Sequence, residues 1–212
     1  MRSRGKESVM RRVPAILIVM VCVVSPVFSF SYSKGLDTAG DITSALSLAA
    51  PAILFIEAPT SDYLTIGASW AATMGTSYGV RTLLKETIDR PRPYVGQSAR
   101  PADTSEDYDS FPSGHTLLAF ASATYLQTMG SLFYPDSKAV KITSAAAWTL
   151  AGTTAILRVV GGSHHPSDVL AGAAIGSALG FLGPWITSKL VQNDPHAPTL
   201  LSGPVVGVQV GL

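Results

Sequence analysis

Charge is scarce in this chain and cysteine is nearly absent. Only 14% of the 212 residues are Asp, Glu, Lys or Arg, and the formal net charge is +1. No global field therefore draws the protein toward nucleic acid, and no basic run interleaved with aromatics occurs beyond the first twelve residues. Nucleic acid is excluded as the expected partner. The single cysteine, Cys22, rules out an intrachain disulfide framework and a cysteine-based zinc site. No internal repeat is present. Hydrophobic residues make up 47% of the chain, which argues against disorder, and the length suits one domain that buries or immerses much of itself.

The ends differ from the middle. Residues 1–12 carry Arg2, Arg4, Lys6, Arg11 and Arg12 against Glu7, and residues 13–33 contain no charge. A positive head, an apolar centre and the small residues Ser29, Ser31 and Ser33 fit an export signal, and 21 uncharged residues also suffice for a membrane anchor. Either way the basic end stays cytoplasmic and residue 34 onward begins outside. The expected organisation is a leader or anchor over 1–33, a helical domain over 34–192 and a Pro/Gly-rich tail over 193–212. The run Val205 to Val210 in that tail has strand propensity.

Between the ends lie five apolar segments, near 42–58, 63–84, 114–130, 139–158 and 167–190, separated by turn-rich or charged stretches. Each is long enough for a helix, so the predicted class is all-α: a bundle of five core helices. The segments favour Ala, Ser, Thr and Gly over Leu and Ile. Periodicity alone does not separate core helices of that composition from membrane helices. A periplasmic bundle and a six-span integral protein both fit. The acids Glu57 and Asp62 in one connection disfavour six spans, and Lys138 and Lys141 in another favour them.

Because charge is rare, its placement is informative. Lys85, Arg90, Arg92, His115, Arg158, His164, His165 and Asp168 all fall at the ends of the predicted helices. If successive helices run antiparallel, these ends share one rim. Fixed cations with exposed N–H groups at two helix starts form a receptor for a tetrahedral oxyanion such as phosphate. Ser113 reads as an N-cap, Gly114 admits a ligand to the backbone, and Pro166 suits a helix first turn. Two histidines and an aspartate supply nucleophile, proton donor and orienting carboxylate, the parts needed for transfer through a phosphohistidine.

Three motifs stand in register. Lys85 is followed by six residues and Arg92-Pro93. Pro112-Ser113-Gly114-His115 comes next. Then come Arg158, five residues, His164, three residues and Asp168. In order and spacing they resemble the type 2 phosphatidic acid phosphatase superfamily. Arg90-Pro91 lacks the six-residue gap from Lys85, and four residues on from His165 stands Val169, so spacing selects Arg92 and His164. The resemblance implies a helical hydrolase of phosphate esters or pyrophosphates that needs neither metal nor cofactor. It makes His164 the nucleophile, Asp168 its orienting carboxylate and His115 the proton donor. Lys85, Arg92 and Arg158 become the oxygen clamp, with the Ser113 hydroxyl and the Gly114 amide completing the cradle. One departure is Leu157, where the family often has serine.

Singly, each residue has a plainer explanation. Lys85 and Arg158 suit helix C-termini, Asp168 and Ser113 suit N-termini, and an isolated buried histidine is usually structural. The acidic loop Asp103, Glu106, Asp107, Asp109 lacks calcium-loop spacing and reads as solvated. Trp70, Trp148 and Trp185 read as packing residues, Trp185 also suiting a membrane interface. The motifs together favour the catalytic reading: an envelope phosphatase with an outward-facing site and a phosphorylated lipid or small phosphoester as substrate. The alternatives are a vanadium-dependent haloperoxidase, which shares the motif set but which the short chain disfavours, and a non-catalytic phosphate-binding or structural membrane protein, which the presence of both His115 and His164 disfavours.

Overall fold

The computed structural model describes residues 30–193. The basic leader and the strand-like run near the C-terminus lie outside the described residues. Within them the chain is helical: α1 (Lys34–Ala49), a 3₁₀ turn (Ala50–Ile53), α2 (Leu54–Glu57), a second 3₁₀ turn (Thr60–Asp62), α3 (Tyr63–Thr87), α4 (Gly114–Phe133), α5 (Lys138–Val160) and α6 (Pro166–Asn193). Only an isolated bridge, Arg90 to Asp109, pairs extended backbone among the described residues. The all-α expectation holds. Four predicted helices match α3 to α6 closely, but the first begins at Lys34 rather than near 42 and is interrupted at Pro51. Its opening turns carry Lys34, Asp37 and Asp41, which an apolar pattern does not register.

α4 is the central helix, buried along most of its length. Its most extensive interface is with α6, and glycine sets that approach. A Cβ at Gly176 would lie 2.1 Å from the Leu117 carbonyl oxygen, and one at Gly180 would lie 2.3 Å from that of Ala121. The two backbones therefore meet along a ridge of small residues at four-residue spacing, where packing and not side-chain bulk gives the contact. On its other side α4 is tied to α1 by polar bonds: the Ser44 hydroxyl donates to the His115 carbonyl at 3.2 Å, Ser47 to that of Ala119 at 3.1 Å, and Ser122 to that of Ser47 at 3.0 Å. Leu54, Ile66, Tyr125, Leu126, Met129 and Val140 fill the end of the bundle away from the charged rim.

Outer faces are apolar. Ile56, Leu64, Ile142, Ile156, Leu170 and Leu190 are all exposed. The segments Lys34–Glu57 and Pro166–Gln192 are each long and apolar enough to cross a membrane. Trp185 is exposed on α6, whereas Trp148 packs edge-on against Phe120 and Trp70 lies against the core.

Candidate active site

The antiparallel helices bring the predicted ends together. The Ser113 amide donates to the Asp168 carbonyl at 3.0 Å, joining the start of α4 to the start of α6. Between α5 and α6 the chain turns through Gly161 and Gly162. Gly162 has φ +72, and a Cβ there would lie 2.7 Å from the Phe30 carbonyl oxygen. This turn presents His164 inward, 2% exposed.

His164 is held through Nδ1, which lies 2.8 Å from the Ser110 backbone carbonyl. A carbonyl only accepts, so Nδ1 carries the proton and, in the neutral ring, Nε2 is the free lone pair. Burial, then the positive charges of Arg92, Lys85 and Arg158, push the His164 pKa well below its ordinary 6.5. The imidazole is thus neutral, and three cations from three segments surround it.

Asp168 is fully buried, and its Oδ2 lies 3.9 Å from His164 Nδ1, outside hydrogen-bonding distance. It instead accepts from the Ser110 hydroxyl at 2.5 Å and from the His165 amide at 3.0 Å, and it pairs with Arg90. The carboxylate therefore fixes the segment whose carbonyl fixes the ring. Arg90, set aside by spacing, occupies this network and also donates to Ser167 at 2.8 Å. His165 Nε2 lies 3.1 Å from the Pro91 carbonyl, which gives that ring an anchoring contact.

The cations are tethered. Lys85 Nζ bonds the Asp109 carbonyl. Arg92 donates through Nε to the Glu106 carbonyl at 3.0 Å and pairs with the Glu106 carboxylate, with Tyr94 beneath the guanidinium. The acidic loop is thus part of the scaffold of the cation ring: Glu106 holds Arg92, and Asp107 lies 3.7 Å from Arg100. Arg158, 2% exposed, has Nη1 2.6 Å from Asp37 Oδ1 and pairs through Nη2 with Asp41. Leu157, the departure from the family pattern, packs toward Gly40 of α1.

Ser113 stands at the N-cap position but makes no capping bond. Its hydroxyl lies 2.9 Å from that of Thr116. Gly114 is covered by Arg81, since a Cβ there would lie 2.3 Å from Arg81 Nε. His115 is half-exposed, with Nε2 3.2 Å from Asp41 Oδ1.

The site residues missed by sequence reasoning are therefore Ser110, Arg81, Asp37 and Asp41, whereas Arg90 was placed on the rim and then set aside by spacing. Arg81 stands four residues before Lys85 on α3, a spacing that places both on one helix face and was readable. Among the described residues no cluster of three or more His, Cys, Asp or Glu side chains is placed to hold a metal.

Comparison with known proteins places this arrangement. The description of the PAP2 superfamily matches residues 66–192. A lipid A 1-phosphatase of Porphyromonas gingivalis is 43% identical over 96 residues, covering 45% of this chain and 20% of that protein. A lipid A 1-phosphatase of Rhizobium etli is 37% identical over 118 residues, covering 52% and 46%. Lipid phosphate phosphatase gamma of Arabidopsis thaliana is 27% identical over 124 residues, covering 57% and 52%. The matched stretch thus spans from a fifth to about half of these relatives. The fold is also that of a transmembrane PAP2-type phosphatidylglycerolphosphate phosphatase from Bacillus subtilis, with TM-score 0.54, 22% identity and 89% of each chain covered. LpxE of Aquifex aeolicus superposes with TM-score 0.51 at 20% identity over 80% of this chain and 93% of that one. With the family match covering more than half the chain and all three motifs on one rim, the protein belongs to the PAP2 superfamily.

Proposed function

We propose that this chain is a phosphatase that cleaves a phosphomonoester or pyrophosphate bond of a membrane lipid through a phosphohistidine on His164. The observation that carries the reading is the state of that ring: buried, neutral, with Nδ1 committed to Ser110 and Nε2 free within the ring of Lys85, Arg92 and Arg158. Nε2 attacks phosphorus as the bond to the leaving oxygen breaks. His115 gives that oxygen a proton. The cations and the Gly114 amide neutralise charge on the nonbridging oxygens, the largest contribution expected in phosphoryl transfer. Water then attacks the phosphohistidine, His115 takes its proton, and phosphate leaves. Charge neutralisation falls to side chains, so turnover requires no divalent ion.

A lipid substrate is supported by the exposed apolar faces and by the names of the relatives, which include lipid A 1-phosphatases and a lipid phosphate phosphatase. The bundle sits in the membrane with the charged rim at its outer surface, on the side opposite the basic N-terminal residues. Phosphate release from lipid A 1-phosphate and from phosphatidate in mixed micelles with chelator tests the reading. Turnover by the wild type that disappears in His164→Ala is the expected result. Turnover retained by His164→Ala, or lost on chelation and restored by one divalent ion, would overturn it.

A further inference from the structure

α1 lies outside the stretch that matches the PAP2 superfamily, yet it supplies two carboxylates to the site. Asp37 and Asp41 are four residues apart and share one helix face. Asp37 binds Arg158 Nη1 and the Ser163 hydroxyl. Asp41 Oδ1 does two things at once: it pairs with Arg158 Nη2 and lies 3.2 Å from His115 Nε2. The approach is built in. A Cβ at Gly40 would lie 3.2 Å from Arg158 Nε, and Ser44, one turn on from Gly40, bonds the His115 carbonyl. α1 therefore grips His115 by its backbone and by its ring.

The charges facing His115 come from three elements: Asp37 and Asp41 on α1, Arg158 on α5 and Arg81 on α3. Desolvation and Arg158 favour the neutral ring, lowering the pKa from 6.5, and Asp41 is the strongest influence in the opposite direction. Nδ1 of the same ring has no hydrogen-bond partner among the described residues.

We infer that Asp41 is the positioning residue of the proton donor: it holds His115 through Nε2–H, so that Nδ1 faces the leaving oxygen, and its negative charge opposes loss of the ring's proton. This rests on the phosphatase reading above. In the first half-reaction the P–O bond breaks, its electron pair stays on the leaving oxygen, and that oxygen takes the Nδ1 proton. His115 is left neutral with its remaining proton on Nε2, toward Asp41. In the second half-reaction Nδ1 regains a proton from the attacking water. Asp41 itself is never protonated and touches no reacting atom.

A group that only assists proton donation matters in proportion to how badly the leaving group needs a proton. The test compares kcat/KM for an alkyl phosphate, such as dioctanoyl phosphatidate, with that for 4-nitrophenyl phosphate, using the full chain in micelles. For Asp41→Asn the alkyl substrate should lose about 100-fold, within the usual range for general acid catalysis. The nitrophenyl substrate should lose less than about fivefold, because its leaving group departs without a proton. Asp41→Glu should restore part of the alkyl activity, and His115→Ala should reproduce the selective loss. Equal loss on both substrates would mean a merely structural role and overturn the inference. Unchanged alkyl turnover with tighter vanadate inhibition would mean that the carboxylate only occupies the anion site, and would overturn it too. His164→Ala should abolish both activities; survival of either would break the phosphohistidine reading itself, a failure distinct from that of Asp41.

Discussion

α6 and α1 flank the same central helix, and they join it in different ways. Against α6 the contact is backbone on backbone across Gly172, Gly176 and Gly180, and the groups it delivers, His164 and Asp168, are buried. Against α1 the contact is a series of serine hydroxyl bonds, and the groups it delivers at the rim, Asp41 and His115, are about half exposed. The proposed nucleophile, His164, thus sits on the side where close packing permits no slack, and the proposed proton donor, His115, on the side open to solvent and adjustable. Such a division suits the chemistry: attack needs fixed geometry and a desolvated lone pair, whereas the donor must exchange protons in each half-reaction.

That contrast can be broken in graded ways. The largest effect belongs to the buried side, where His164→Ala should lower phosphate release by roughly 10⁴-fold or more, as removal of a nucleophile generally does. Steady-state assay with unchanged thermal midpoint would check it. Gly176→Val comes next. The new side chain starts 2.1 Å from a backbone oxygen that cannot move aside, so about 3 kcal/mol or more of stability should be lost. Thermal unfolding in detergent reads this, and an unchanged midpoint would deny the backbone contact.

The third prediction concerns pH. On the proposed mechanism His164 attacks only when unprotonated, so activity should fall as pH drops through its pKa. Because that pKa is held well below 6.5, the acid limb of kcat/KM should lie well below 6.5. Arg92→Gln removes the strongest charge opposing protonation, so the pKa rises and the limb should move to higher pH. A limb that stays in place would separate Arg92 from the ring. The smallest effect is expected at the open side: Arg81→Ala, removing a cation over Gly114, should weaken inhibition by inorganic phosphate about threefold to tenfold, the order of one partly solvated charge contact.

The same contrast explains what was legible in the sequence. The residues of the family motifs were readable because each combines a distinctive side chain with a fixed spacing, and the scarcity of charge made Lys85, Arg92 and Arg158 stand out. α3 to α6 were readable from their apolar runs. The acids of α1 were not, because their partner Arg158 lies 121 and 117 residues away and nothing local marks a polar helix start as part of a site. Ser110 was invisible for a different reason: its decisive group toward His164 is a backbone carbonyl, which every residue possesses. Spacing favoured Arg92 over Arg90, and the fold employs both, one near His164 and one on Asp168.

The central claim is a covalent bond between phosphorus and His164 Nε2. Quenching the enzyme in alkali during turnover of a lipid phosphate, digesting it and sequencing the peptides by mass spectrometry tests that claim directly. A phosphoryl group on His164, stable in base and lost in acid, is the predicted result. A phosphoryl group confined to another residue, or none at any time while phosphate is being released, would contradict it.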